Sequence, residues 1–339
     1  MSQFERTEAN LQAARTLATT GVKLSNGHVL PYVGIGTFGS DWLSPQKIAE
    51  IVSVALDEGY RHVDCAAVYG NQPEIGQVLK EKFQSGKLKR EEVHITSKLW
   101  NSDHNCVRQA CEKSLKELHL SYLDLYLVHW PFPNHHDPGV TVHSRDPNAK
   151  GFEVNEFVQN TWREMEKLVE DGLCKAIGVS NFTKHKLQQL LPLCKIRPAV
   201  NQYERHPFLQ QQELFDFCQK EGIAVTGSAP LGAGDRPERD RTNDDPIVMA
   251  SDVVKKIAAE TGASVAQVIL RWATQTGGIV VPKGINVEQI QDNLLSLNLT
   301  LSDHHLQELR SLDQHARLIK GQVFCWKDNQ SWKELWDEL

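Results

Sequence analysis

Short apolar runs alternate with longer amphipathic segments along nearly the whole chain. From about residue 32 the runs YVGIG, RHVD, VHITSK, DLYLVH, CKAIGVS, PAVNQY, IAVTGS and GIVVPK read as strands. They are short and apolar at successive positions, as expected of strands covered by helices on both faces. Between them apolar residues recur at helical spacing in PQKIAEIVSVALDEG, PEIGQVLKEKFQSG, VRQACEKSLKELHL, VNEFVQNTWREMEKLVEDG, KHKLQQLL, LQQQELFDFCQKEG and the pair ASDVVKKIAAETG and SVAQVILRWATQTG. Pro45, Pro73 and Ser264 mark helix starts, and the glycines closing DEG, EDG and KEG mark helix ends. Strand–helix alternation repeated eight times predicts a closed α/β (β/α)8 barrel, a TIM barrel, more readily than an open sheet. Upstream, VKLSNGHVLP reads as a β-hairpin turning at Asn26-Gly27.

No composition break or linker divides this pattern. Residues 1–21 read as an N-terminal extension, either frayed or a surface-docked helix, and residues 22–339 as a single barrel unit that includes the C-terminal tail. Polar stretches at 130–155 and 234–246 follow the fourth and seventh strands, on the side where barrels place their long functional loops. The tail from Leu318 onward carries Trp326, Trp332 and Trp336 and is expected to fold over that mouth.

Composition narrows the partners. The chain has 339 residues, 40% of them hydrophobic, enough for a large core. A net charge of -6 leaves no electrostatic footprint for nucleic acid or an anionic membrane. No run approaches the ~18 apolar residues of a membrane span. The first 21 residues lack an apolar core and include Glu5 and Glu8, so a cytoplasmic protein is expected. Seven cysteines without CxxC spacing imply reduced thiols rather than disulfides or a zinc site. His135, His136 and His143 read as a polar loop, and no metal is expected. No leftover apolar stripe marks an interface, so a monomer is expected.

Four residues near the ends of three predicted strands carry the chemistry. Asp64 and Tyr69 lie in GYRHVDCAAVYGNQ, Lys98 ends VHITSK, and His129 ends DLYLVH. In a barrel all four face the C-terminal mouth, where such enzymes hold their sites. A free tyrosine, with a pKa of about 10, is a poor acid at neutral pH. An ammonium such as Lys98 lowers that value, and a carboxylate such as Asp64 holds the ammonium charged and oriented. His129 can donate a hydrogen bond to a carbonyl oxygen. Each residue alone has an ordinary reading: a cap, a satisfied core hydroxyl, a surface charge, a structural histidine. Their joint placement at successive strand ends argues for proton transfer to a carbonyl.

The motifs resemble the aldo-keto reductase superfamily, closest to its aldose reductase and xylose reductase branch. GYRHVDCAAVYGNQPEIG is similar to the family's first signature, LVHWP to its His-Trp-Pro segment, and VPKGINVEQIQDN to its Lys-containing third signature; GVSNF and AVNQYERHP match two further segments. The similarity runs from about residue 22 to 320. It implies Tyr69 as general acid, tuned by Lys98 and Asp64, with His129 orienting the substrate. It implies that Ser180, Asn181 and Gln202 bind the nicotinamide carboxamide, that Lys283 pairs with the adenosine 2′-phosphate, and that Asp292 and Asn293 lie by the adenine. Thr37, Leu231 and Asp235 would lie along the cofactor. Phe38, Trp100, Trp130, Cys325 and Trp326 would shape the substrate pocket. GIGTFG at 34–39 lacks the last glycine of a dinucleotide fingerprint, which argues against a Rossmann domain.

The chain departs from the family in several places. Ser228 stands where a tyrosine usually stacks on the nicotinamide. Gly284 and Gln289 stand where Ser or Thr and Arg usually surround the 2′-phosphate, and Gln supplies no charge. Glu238 stands where aldose reductases place a pocket tryptophan. The expected activity is reduction of aldehydes, including aldoses, and other small carbonyl compounds, with NADPH preferred and NADH possible. Two alternatives stay open: a non-catalytic cofactor-binding relative, and alcohol oxidation as the working direction. Retention of His129, where a glutamate serves reduction of carbon–carbon double bonds, favours C=O chemistry.

Overall fold

The computed structural model describes residues 6–40, 42–133, 151–238 and 241–338. Helix α1 (Glu8–Leu17) begins at Thr7, whose hydroxyl accepts the Asn10 amide. It buries Leu11 and Ala14, and Arg15 pairs with Glu58 at 2.9 Å. Residues 8–17 are therefore a docked helix. Strands β1 (Gly21–Lys23) and β2 (Val29–Pro31) form the expected hairpin. Gly27 takes φ +86° at its turn, and the Asn26 amide donates to the Lys175 carbonyl at 2.8 Å.

The remaining strands pair in chain order, all parallel: β3 (Ile35–Gly36), β4 (His62–Asp64), β5 (His94–Leu99), β6 (Leu125–Val128), β7 (Ile177–Ser180), β8 (Val200–Glu204), β9 (Ala224–Ser228) and β10 (Ile279–Val280). The sheet closes on itself. Val280 N donates to Tyr32 O at 2.8 Å, and Gly34 N and Gly36 N donate to Val280 O and Pro282 O at 2.8 and 3.0 Å. A (β/α)8 barrel results. Gly36 of GIGTFG serves this closure, since a Cβ there would lie 2.6 Å from Val281 O, whereas Gly34 makes room for the His62 ring of β4, which a Cβ would approach to 2.5 Å.

Around the barrel run α2 (Pro45–Asp57), α3 (Gln72–Gln84), α4 (Val107–Glu117), α5 (Val154–Phe157), α6 (Arg163–Glu170), α7 (Lys184–Leu190), α8 (Gln212–Lys220), α9 (Asp252–Thr261), α10 (Val265–Gln275), α11 (Val287–Leu295) and α12 (Asp303–Arg310). Pro45, Pro73 and Ser264 stand at the starts of α2, α3 and α10 as read from sequence. The helix expected from 154 is interrupted by a π turn at Val158–Trp162, which keeps Val158, Thr161 and Trp162 buried. Helix α12 has no counterpart in the sequence reading; only Leu309 is buried on it, so its apolar stripe is nearly absent.

The barrel interior is layered. Hairpin residues Leu24 and Leu30 plug the lower end against Leu125, Leu127, Ala199, Val200 and Ile279. His62, His94 and Thr96 lie next along β4 and β5, with His62 3.1 Å from the Thr96 hydroxyl. Two residues further along each of those strands come Asp64 and Lys98.

Candidate active site

The parallel register delivers Asp64 and Lys98 to the same rim. Both are buried, and Lys98 Nζ lies 2.7 Å from Asp64 Oδ2 and donates to Cys65 O at 2.8 Å. Gln202 on β8 donates to the other carboxylate oxygen, Oδ1, at 2.9 Å. The Thr37 hydroxyl fixes the Asp64 carbonyl at 2.8 Å, and Asn71 in turn holds Thr37 O. Burial alone would strip the Lys98 proton. Burial is the largest single influence, yet the charge and hydrogen bond of Asp64 together with Tyr69 and Cys65 outweigh it and hold Lys98 above the ordinary lysine value.

Tyr69 stands above this pair at the end of a 3-10 turn, Ala67–Tyr69, with its ring centroid 5.1 Å from Lys98 Nζ. Burial pushes its phenol above the ordinary tyrosine value, and the Lys98 charge pulls downward without overcoming it. The net direction differs from the lowered value expected from sequence, because the site is drier than strand spacing reveals. Tyr69 therefore keeps its proton at neutral pH.

His129 follows β6, with its ring 5.8 Å from Tyr69. Burial and the nearby Lys98 hold it well below the usual histidine value, so the imidazole is neutral. Its buried Nδ1 has no hydrogen-bond partner among the described residues. Asn181, at φ +61°, donates to His129 O at 2.9 Å and lies 3.3 Å from Ser180 Oγ, which ties the ends of β6 and β7 together. Trp100 is edge-on to His129 at 5.3 Å. Phe324 packs between Trp100 at 5.8 Å and Trp130 at 4.7 Å.

A second cluster lies beyond Phe38, whose ring is 5.2 Å from Tyr69 and whose carbonyl accepts Lys283 Nζ at 2.9 Å. Lys283 also pairs with Asp235 and lies 5.3 Å from the Trp42 ring centroid. The Ser40 hydroxyl is 3.3 Å from Asp235. Gln289, in the first turn of α11, accepts the Ile285 amide, and Asn293 is buried 3.5 Å from Lys283 O. The Asp292 carboxylate instead accepts Ser264 and Gln267 of the α10 cap at 2.6 and 2.9 Å. Gly284 is tightly packed, since a Cβ there would lie 3.0 Å from Ile290. Ser228 and Leu231, at and just beyond the end of β9, are half-buried. Cys325 and Trp326 are buried in the tail cluster, where Trp326 packs on Phe132; the tail ring at Trp100 is Phe324, which the sequence reading did not single out. Glu238 is exposed. His135, His136 and His143 lie outside the described residues, and the described residues contain no cluster of three or more His, Cys, Asp or Glu suited to a metal.

The aldo/keto reductase family model matches residues 32–314. An aldo/keto reductase of Synechocystis sp., slr0942, is 43% identical over 323 residues, covering 93% of this chain and 96% of its own length. Human aldo-keto reductase family 1 member A1 is 40% identical, over 89% of this chain and 92% of its own. Aldose reductase B of Dictyostelium discoideum is 41% identical, over 88% and 94%. This chain belongs to the aldo/keto reductase family. Membership makes it an oxidoreductase of carbonyl chemistry in a family that generally uses nicotinamide cofactors. No helix among the described residues is long and apolar enough to cross a membrane.

The rim residues suit such a cofactor. Gln202 spends its amide N–H on Asp64, so its Oε1 is left as an acceptor for a carboxamide N–H. Asn181 likewise spends its amide nitrogen within the rim. Lys283 offers a cation at the far end.

Proposed function

We propose that this aldo/keto reductase reduces aldehydes, including aldoses, and other small carbonyl compounds to alcohols, with NADPH preferred and NADH accepted. The observation that carries the reading is the buried Lys98–Asp64 pair beneath a protonated Tyr69, with a neutral His129 alongside. When bound, the nicotinamide supplies the hydride. The chain's own residues handle the charge and the proton. His129, neutral, donates one hydrogen bond to the carbonyl oxygen and orients it. Tyr69 gives its proton to that oxygen as charge develops there, and the resulting phenolate faces the Lys98 ammonium. Asp64, Cys65 O and Gln202 keep that ammonium fixed, so little reorganisation is needed at the moment of transfer.

Ser180, Asn181 and Gln202 hold the carboxamide; Thr37, Leu231 and Asp235 line the path to Lys283. Ser228 leaves the nicotinamide without the stacked tyrosine of the family. At the far end Asn293 and Gln289 are available to the adenosine, while Asp292, spent on the α10 cap, shapes the wall. Lys283 is the cation for the 2′-phosphate, and because Gln289 adds no charge, NADH is tolerated. Trp100, Trp130, Phe38 and Phe324 form apolar walls for the substrate body.

The test is consumption of NADPH and of NADH across a panel of aldehydes and aldoses. Aldehyde-dependent oxidation of NADPH is expected, faster than that of NADH at low nucleotide. Tight nucleotide binding without turnover on any carbonyl compound would overturn the reading. Lys283→Ala is expected to weaken NADPH binding about 10- to 100-fold, the worth of a charged hydrogen bond, and NADH binding far less. Equal losses in fluorescence titrations would show that Lys283 does not read the 2′-phosphate.

A further inference from the structure

Strand β8 sends two side chains toward the mouth from alternate positions. Gln202 reaches Asp64. Glu204, two residues on, reaches the C-terminal tail. Its carboxylate is 1% exposed and accepts Leu318 N at 2.9 and 3.2 Å and Ile319 N at 2.9 Å. His206 Nε2 lies 2.9 Å from it. Burial pushes Glu204 up, yet His206, the Arg317 guanidinium and the Ile319 amide together hold it below the ordinary glutamate range. A buried carboxylate is costly unless its lone pairs are filled, and here two backbone amides at the start of the tail help to fill them.

Beyond those amides the tail builds the substrate wall. Gly321, at φ +73°, turns the chain onto Trp130, where a Cβ would lie 3.0 Å from the indole. Phe324 then packs on Trp130 and Trp100, and Trp100 packs on His129. The far end is also held by charge. Asp337 accepts Lys186 Nζ at 2.8 Å and the Thr183 hydroxyl, and Glu338 accepts Arg317 at 2.6 Å. Trp336 Nε1 donates to Lys320 O at 2.8 Å, which joins the two ends of the tail. Between these ends, Phe324 meets the pocket tryptophans through ring contacts alone, so its placement depends on where the ends are fixed.

We propose that Glu204 is a positioning residue for the substrate pocket: by gripping the amides of 318 and 319 it sets where Phe324 stands against Trp100 and Trp130, and so selects for carbonyl compounds with a bulky aromatic or branched body. Such a body touches this wall. A two- or three-carbon aldehyde engages Tyr69 and His129 without needing it. The catalytic consequence rests on the reductase reading above, whereas the grip on the tail does not depend on it.

Glu204→Gln in the full chain replaces one acceptor oxygen with an amide that faces the tail N–H groups. Hydrogen–deuterium exchange without substrate is the first measurement: amides of 318–326 are expected to exchange at least about tenfold faster, with β4 to β7 unchanged. The second is a split in kinetics. KM for an aromatic aldehyde such as a substituted benzaldehyde is expected to rise about tenfold, while kcat and KM for propanal and the NADPH dissociation constant stay within about twofold. Should Glu204→Gln fail to fold, Glu204→Asp keeps the buried charge beside His206 but shortens the reach, and the same two changes are expected at smaller size. Unchanged exchange at 318–326 in a folded variant would overturn the grip. Faster exchange with both aldehydes equally affected would overturn the role in selection. Absence of turnover in the unaltered protein would instead strike the reductase reading, and the exchange result would still decide the grip.

Discussion

Lys98 carries its charge to a fully buried position, and three neighbours make that tolerable: Asp64, the Cys65 carbonyl and the Tyr69 ring. Lys98→Met is expected to cost about 3–5 kcal/mol, because it strands the Asp64 carboxylate without its partner. Turnover should fall with it, since the phenolate loses its cation. Adding Asp64→Asn should recover much of the stability but none of the turnover, as read by urea denaturation beside steady-state kinetics. A double variant as unstable as the single one would contradict the coupling. The sequence placed Asp64, Lys98 and His129 at strand ends because strand ends are legible from the run of apolar residues. The partners that orient them were not legible. Gln202 was read only as a cofactor ligand, and Glu204 and Phe324 went unremarked, because their contacts join segments more than 110 residues apart. The direction of the Tyr69 shift was also out of reach, since it depends on how dry the site is.

At the scale of elements, β3 and β10 have two residues each, and three backbone hydrogen bonds between their flanks close the ring. The hairpin plug supports that closure from below, distant in the layering from the mouth. Leu30→Ala, at a fully buried position, is expected to cost about 2–5 kcal/mol through lost burial and an unfilled cavity. Thermal denaturation should register that loss, while kcat/KM at a temperature where the variant is folded stays near that of the parent. A large drop in kcat/KM of the folded variant would mean that the floor reaches the chemistry. Most elements were legible because strand and helix periods differ so plainly. The π turn at Val158–Trp162 was not, because the apolar spacing of that segment fits a plain helix, and the extra residue answers to packing around Trp162, which is buried with its Nε1 on Ile196 O. Helix α12 was missed because it buries too little to leave a stripe.

For the whole molecule, the layer between floor and mouth sets the response to acid. Burial pushes His62 down to about 4 and His94 to about 3, the latter helped by its neighbour His62. In the unfolded chain both titrate near 6.5. The folded state thus refuses protons that the unfolded state binds, and stability present above pH ~6.5 is lost as pH falls toward 4 and 3. Each histidine should account for about 2 kcal/mol between pH 7 and pH 5. Buried His129, also held well below the usual histidine value, adds to this slope, so denaturation curves at the two pH values should show it and His94→Leu should flatten it by roughly a third. A slope unchanged by that substitution would locate the acid sensitivity elsewhere.

Carbonyl reduction at this site turns on Tyr69 as the proton donor. The direct measurement is turnover of NADPH with an aldehyde by Tyr69→Phe, beside a nucleotide titration of the same variant. The ring and its packing on Phe38 and His129 remain, and only the hydroxyl is lost. NADPH binding is expected to stay within about twofold of the parent, while kcat falls by at least about 100-fold, the usual worth of a positioned general acid. A variant that binds NADPH normally and turns over aldehyde at the parent rate would contradict the assignment.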